Sequence, residues 1–418
     1  MSLKVKVGSE IAPLKKVMVH EPDAGITRVS PKQSHDLLFD DIVYLPQMQQ
    51  EHRIFTKVLK AVIGEGVLET TDLLAEALNH DGGTRDSIID MVVEYEELPR
   101  HFAQILKQYE PKKLAEVLIT GFDLQEEIIF FDPIPNFIFT RDIAAVVNEH
   151  VIITKAAKVA RSRENFLTRC IFWAHPMFES LREQDLIINL NQVNTFPPSR
   201  RGEPICLEGG DVMVLNEQYV LIGCSERTNI HTIMSLQKEL LSRRIVDNVV
   251  HVNIPHDRSC MHIDTIFTQI HHNHVVGYKP IVVDGLSSYV KVVRRNGDET
   301  IYPSIRDFIH REINPYMEFI LAGNGESPYQ EREQWTDGCN LVALKPGVAL
   351  AYDRNPYTEI ALEHAGYRMY PAVQFLKDIE QGKINAAKIE NTIITLPSNE
   401  LSRARGGSHC MTCPLERG

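Results

Sequence analysis

The 418-residue chain has no run of about 18 apolar residues, so the sequence predicts no membrane-spanning helix. Its opening, MSLKVKVGSEIAPLKKVMVH, lacks an apolar stretch followed by a small-residue cleavage site. No secretory leader is expected, and MSL reads as a vector or start remnant. Positive charge is also short. There are 44 Lys and Arg against 56 Asp and Glu, a formal charge of −12 and a pI near 5.8. A nucleic-acid partner, which asks for a basic stripe against phosphate, is disfavoured, while a small cationic substrate is not repelled. Cysteines are few and odd in number: seven, from Cys170 to Cys413, mostly inside hydrophobic runs. They form no disulfide framework, and the expectation is a cytoplasmic protein with reduced thiols.

What the chain does have is core material, with 43% hydrophobic residues. Its length alone suggests roughly three domains, although repeat-built α/β folds run long as one unit. From about Leu45 to Gly121 the apolar spacing is helical. Phe55, Val58, Leu59 and Val62 stand at i, i+3, i+4 and i+7, and the pattern returns around Ile88, Met91 and Val92 and around Phe102, Ile105 and Leu106. DGG at 81–83, Pro99, Pro111 and Gly121 punctuate it. The prediction is a compact all-helical block.

Elsewhere four segments share one design: a leading Asp or Asn, an apolar run, a polar turn and a second apolar run. They are DIAAVVNEHVIIT (142–154), DVMVLNEQYVLIG (211–223), DTIFTQIHHNHVVG (264–277) and NLVALKPGVALAY (340–352), and each reads as a β-hairpin. The first two lead into helical runs, which makes ββα units. The leading residues are 69, 53 and 76 apart, too irregular for a solenoid, yet the recurrence suggests like modules arranged radially. A fifth module combining LKKVMVH near the N-terminus with TIITLP near the C-terminus would close a ring and put Cys410 at its leading position.

Chemically loaded residues gather at these module edges. NFIFTRD ends in Asp142, LEGGD supplies Glu208 and Asp211, MHIDT supplies His262 and Asp264, and the tail RGGSHCMTCPLERG supplies Cys410. His262 and Asp264 stand two apart and would share a strand face. Any one such motif alone is more often a surface turn or a bend. Carboxylates, a histidine and a thiol in one pocket suit a planar delocalised cation, because carboxylates pair bidentately with guanidinium. The thiolate would attack the central carbon, with His262 moving protons and Glu208 holding its imidazole. Nearby carboxylates oppose thiolate formation, whereas a bound guanidinium neutralises them, so substrate would activate its own nucleophile.

FTRD, LEGGD, MHIDT and SRARGGSHCMTCPLER, with VGSEIAPLKKVMVHEP, LLFDDI at 37–42 and DGCNLVALKPGVALAYDRN, resemble the arginine deiminase family of the guanidino-group-modifying superfamily. The resemblance covers residues 7 to 417 or so. It implies a five-fold pseudosymmetric α/β propeller of ββα-type modules over 1–44 and 122–418, with an all-helical insertion over 45–121. It further implies hydrolysis of free L-arginine to L-citrulline and ammonia through an S-alkylthiouronium intermediate, with no metal or cofactor, by a homodimer or higher homo-oligomer. By motif match Cys410 is the nucleophile, His262 the general acid/base, Glu208 its partner, and Asp142 and Asp264 the guanidinium anchors. Asn136, Arg161, Arg227 and Arg405 are matched to the α-carboxylate and Phe139 to the substrate's flank, with Arg163 able to take the part of Arg161. Residues 143–145 read IAA where many relatives carry a proline and an aromatic, and a local packing change is expected there.

Competing readings are weaker. A zinc site at Cys410 and Cys413 lacks a second CxxC, and Pro414 directly after Cys413 does not suit a thioredoxin-like motif. HHNH at 271–274 looks metal-like but falls in the turn of the third hairpin. An amidinotransferase would share the intermediate and pass it to an amine. A catalytically silent arginine-binding protein would bind without a covalent adduct.

Overall fold

A computed structural model describes residues 4–33, 36–39, 41–286 and 288–418; the MSL opening and Asp40 of LLFDDI lie outside the described residues. All four predicted hairpins are present, and each is followed by a third strand parallel to its second strand. Ala144–Val147 pairs antiparallel with His150–Ile153, and Ile187–Asn189 joins in parallel across the helix Ser162–Ala174. Val212–Asn216 and Tyr219–Cys224 are joined likewise by Asn248–Asn253 across the helix Ile230–Ser242. Phe267–Gln269 and His274–Gly277 are joined by Glu318–Leu321, and Val342–Lys345 and Val348–Tyr352 by Thr392–Leu396. The long connection that a parallel third strand requires is what places a helix beside each sheet.

A fifth sheet repeats this order with the two ends of the chain. Cys413–Arg417 pairs antiparallel with Leu14–Val19, and Val67–Glu69 adds in parallel. LKKVMVH takes the expected place and Cys410 stands just ahead of the leading strand, but TIITLP does not belong here. Thr392–Leu396 is buried at all five residues and lies between Val348–Tyr352 and Arg368–Pro371 in the fourth sheet. A strand buried on both faces belongs inside a parallel sheet. Its continuous apolar character, which matched the fifth module equally well, carries no register information.

The stretch 45–121 is likewise not all helical, because it contains the strand Val67–Glu69. The helix Leu45–Ile63 buries Phe55, Val58 and Leu59 against Val348, Ile394 and Phe375 of the fourth module. The helices Thr70–His80, Gly82–Tyr95 and Pro111–Thr120 instead bury Leu74, Ile88, Ile89, Leu114 and Leu118 in a core shared with Val146, Phe172 and Val220. Asp81 caps the second of these through the Thr84 N–H at 2.8 Å, and Gly121 stops the third at φ 78°.

The leading residues Asp142, Asp211, Asp264, Asn340 and Cys410 are all buried, each at or just before the first strand of its sheet. Short 3-10 turns, Gly209–Asp211 and Ile263–Thr265, deliver two of them. Ile143, Ala144 and Ala145 are buried too, so the departure at IAA falls in the packed start of a hairpin.

Candidate active site

Cys410 is buried, and its Sγ lies 3.4 Å from Asp264 Oδ2 and accepts from Asn340 Nδ2 at 3.2 Å. Asn340 grips the same residue a second time, its Oδ1 taking the Cys410 N–H at 3.1 Å. Burial pushes the Cys410 thiol well up, and the charges of Asp264, Asp142 and Asp337 push it further. The resting thiol is therefore protonated at neutral pH.

His262 Nε2 stands 3.0 Å from Glu208 Oε2 and its Nδ1 3.7 Å from Asp142 Oδ1. Burial alone would lower the imidazole, but Asp142, the hydrogen bond to Glu208 and the charge of Asp211 raise it to about 10, so the ring is charged at neutral pH. Glu208 is opposed by its own burial yet held well below the usual carboxylate range by Arg161, His262 and Arg227. Close packing here depends on Gly210, where a Cβ would fall 2.6 Å from His262 Nδ1. Gly406 is similar: a Cβ there would fall 2.3 Å from the Phe139 ring, which is why RGGSHC can pass over the site.

A second histidine backs the thiol's neighbour. His409 Nδ1 is 2.8 Å from Asp264 Oδ2, and its Nε2 is 3.3 Å from Glu10 Oε2, which Arg141 also pairs with. Burial would raise Asp264, but His409 outweighs it and keeps the carboxyl below its ordinary value.

Arg161 occupies the floor. Its Nη1 donates to Asp142 Oδ2 at 2.7 Å and to Glu208 Oε2 at 2.9 Å, while Nε and Nη2 both donate to Glu164 Oε2 at 3.0 and 2.9 Å. Its alternative, Arg163, points away: it donates to Leu118 O and Glu96 and lies 4.1 Å over the Phe131 ring. Asn136 turns its amide to Leu37 O at 2.7 Å. Arg227 reaches Glu208 Oε1 at 3.7 Å, and Arg405, at φ 64°, lies 3.2 Å over the Trp335 ring.

Nine of the ten sequence-predicted positions thus line one small cavity of about 30 Å³, and the tenth, Asp264, stands behind it against Cys410 Sγ. Asn340, His409, Glu164, Arg258 and Trp335 also stand at or beside it, and none was among the predicted site residues. Asn340 had a signal, since it leads the fourth hairpin as Asp142 and Asp264 lead theirs. Cys413 donates to Ala144 O at 3.3 Å and packs away from the thiol of Cys410, so the two cysteines form no chelating pair. Among the described residues, Asp142, Glu208 and His262 are the one group of three metal-capable side chains with ligand atoms within 4.8 Å of one another, and the Arg161 cation already lies on two of them.

The sequence model of the family described as arginine deiminase matches residues 35–129 and 123–417. Curated relatives named arginine deiminase include those of Listeria monocytogenes serotype 4b, 33% identical over all of this chain and 98% of the relative, and Limosilactobacillus fermentum, 31% identical over 100% and 99%. Among solved structures, dimethylarginine dimethylaminohydrolase from Pseudomonas aeruginosa complexed with citrulline superposes with TM-score 0.51 at 10% identity, over 96% of this chain and 99% of that one. The N-terminal domain of ArgZ covalently bound to a reaction intermediate gives 0.51 at 13% identity, over 96% and 98%. These two likenesses are of α/β fold alone.

Proposed function

The chain belongs to the arginine deiminase family, and on that premise we propose a specific division of labour for its hydrolysis of free L-arginine to L-citrulline and ammonia. Asp142 and Asp264 hold the substrate guanidinium, and Cys410 Sγ attacks its central carbon. The observation that carries this reading is that the buried acids Asp142 and Glu208 already grip a guanidinium, that of Arg161.

Guanidinium between the carboxylates offsets the charges that keep the Cys410 thiol protonated, so the thiol releases its proton to solvent when substrate binds and recovers one after product has left. Its attack gives a neutral tetrahedral adduct. Protonated His262 then gives its proton to one amino group, the C–N bond breaks, ammonia leaves, and a cationic S-alkylthiouronium remains on Cys410. Neutral His262 next takes a proton from water as the oxygen adds to the same carbon. Collapse expels the Cys410 thiolate and releases L-citrulline, the last proton passing to ammonia. Glu208 keeps the imidazole oriented and basic throughout. Arg227 and Arg405, with Arg161 and Asn136, would meet the substrate's α-carboxylate, and Phe139 its flank.

We also read the five sheets of shared strand order as blades of a five-fold pseudosymmetric propeller, with the helices between Thr70 and Thr120 inserted into it. A cytoplasmic homodimer or higher homo-oligomer with no nucleic-acid partner fits the family and the negative charge.

Purified protein with L-arginine in metal-free buffer should yield citrulline and ammonia, and Cys410→Ser should abolish both. Acid-quenched protein should carry an arginine-derived adduct on Cys410. Folded protein that makes no citrulline would sink the reading, and a requirement for an added amine such as glycine would assign amidino transfer instead.

A further inference from the structure

The space beside Cys410 and His262 is about 30 Å³, room for about one or two waters, whereas sites that enclose small-molecule ligands run to roughly 300 Å³ and more. L-Arginine cannot enter until a wall moves. The group best placed to move is Arg161, whose Nη1 fills the gap between Asp142 and Glu208. Its backbone sits in the 3-10 turn Val159–Arg161 that leads into the helix Ser162–Ala174, so its side chain can turn without disturbing a sheet. Glu164, two residues inside that helix, takes two Arg161 donors on Oε2 alone, and its buried Oε1 has no partner among the described residues.

We propose that Arg161 is an internal guanidinium plug: in the unliganded protein it occupies the cage that receives the substrate guanidinium, and L-arginine enters by exchanging one guanidinium for another. Glu164 is the pivot. It retains a hold on Nε or Nη2 while Nη1 withdraws, and its spare oxygen accepts the turned group. The exchange keeps a guanidinium on Asp142 throughout, while His262 and Arg227 stay beside Glu208, which avoids the large cost of leaving buried carboxylates uncompensated. The same trade selects substrates, because a neutral side chain has no charge to set against that of Arg161. It also clears product. The ureido group of citrulline is neutral, so once ammonia has left, the acids favour Arg161 again and its return expels the product. The proposal rests on the functional reading of the cage, but its test does not depend on turnover.

The probe is methylguanidinium, which has no carboxylate for an arginine clamp to hold. By calorimetry, Arg161→Ala should bind it at least about tenfold more tightly than the unmodified protein, the scale of one freed charged contact. Equal or weaker binding by folded Arg161→Ala overturns the plug. Because that variant strands buried acids, a second measurement uses intact Arg161: the structure of Cys410→Ser with L-arginine. The substrate guanidinium should stand on Asp142, with Arg161 Nη1 withdrawn from both Asp142 and Glu208. Bound arginine with Arg161 still on both acids overturns the plug alone. Cys410→Ser that binds no L-arginine overturns the functional reading along with it.

Discussion

Asp264 Oδ2 is shared by Cys410 Sγ at 3.4 Å and His409 Nδ1 at 2.8 Å, so one oxygen both restrains the thiol and is held from behind by an imidazole. Its carboxylate is one reason, after burial, that the thiol is pushed up. Asp264→Asn should therefore ionise Cys410 more readily in the free protein while removing one of the two proposed guanidinium anchors. Alkylation by iodoacetamide at neutral pH should speed up as kcat drops by about a hundredfold or more. Slower alkylation would contradict the electrostatic account.

Glu208 acts on His262 in the opposite sense. The imidazole stands at about 10 against an ordinary 6.5, burial opposing and Asp142, Glu208 and Asp211 prevailing. Glu208→Gln should bring it down, and the basic limb of kcat/KM should move to lower pH; NMR titration of the His262 ring is the direct check. Linkage gives the matching sign for stability. A pKa raised on folding stabilises fully below about 6.5, and that contribution is lost as pH rises from there through 10.

His52 supplies the reverse case. It is buried with neither ring nitrogen hydrogen-bonded among the described residues, and burial, followed by the charges of His20 and Arg53, lowers it to about 3. The unfolded chain binds a proton there near 6.5 and the folded chain does not, so stability falls as pH drops from about 6.5 toward 3. His52→Leu removes that penalty and two unsatisfied polar atoms worth about 1–3 kcal/mol. Its Tm should exceed that of the unmodified protein, by more at pH 5 than at pH 8; a lower Tm at pH 5 would refute this.

Asn340 holds Cys410 through both ends of its amide. Asn340→Ala should loosen the sulfur; it also removes the donor to the Asp264 backbone carbonyl at 3.0 Å, but it leaves the carboxylates that would hold substrate in place. Stopped-time citrulline assays should show kcat down by about tenfold to a hundredfold with KM little changed. A change confined to KM would mean that Asn340 serves binding instead.

The hairpins and their leading residues were legible because both signals are local. Apolar runs on either side of NE in 142–154 or KPG in 340–352 specify a turn and its strands without reference to the rest of the chain. The third strands were not. Thr392–Leu396 and Val67–Glu69 join their sheets in parallel, with no turn to mark the partner, so one was given to the wrong module and the other was hidden in a helical reading. Asn340 was seen as a module leader but not as a residue of the site, because its contact with Cys410 crosses 70 residues.

By itself the sequence determined the repeated hairpin, the set of acids, histidine and thiol at its edges, and through them the family and its chemistry. Only the tertiary structure decided which arginine enters the site and where it lies. Arg161 and Arg163 are of the same type two residues apart, and what separates them is the company each side chain meets. Asp142 and Glu208 reach Arg161 from 19 and 47 residues away, while Glu96 of the helical block takes Arg163. A buried guanidinium goes where buried carboxylates already converge, and that convergence exists only once the modules are assembled.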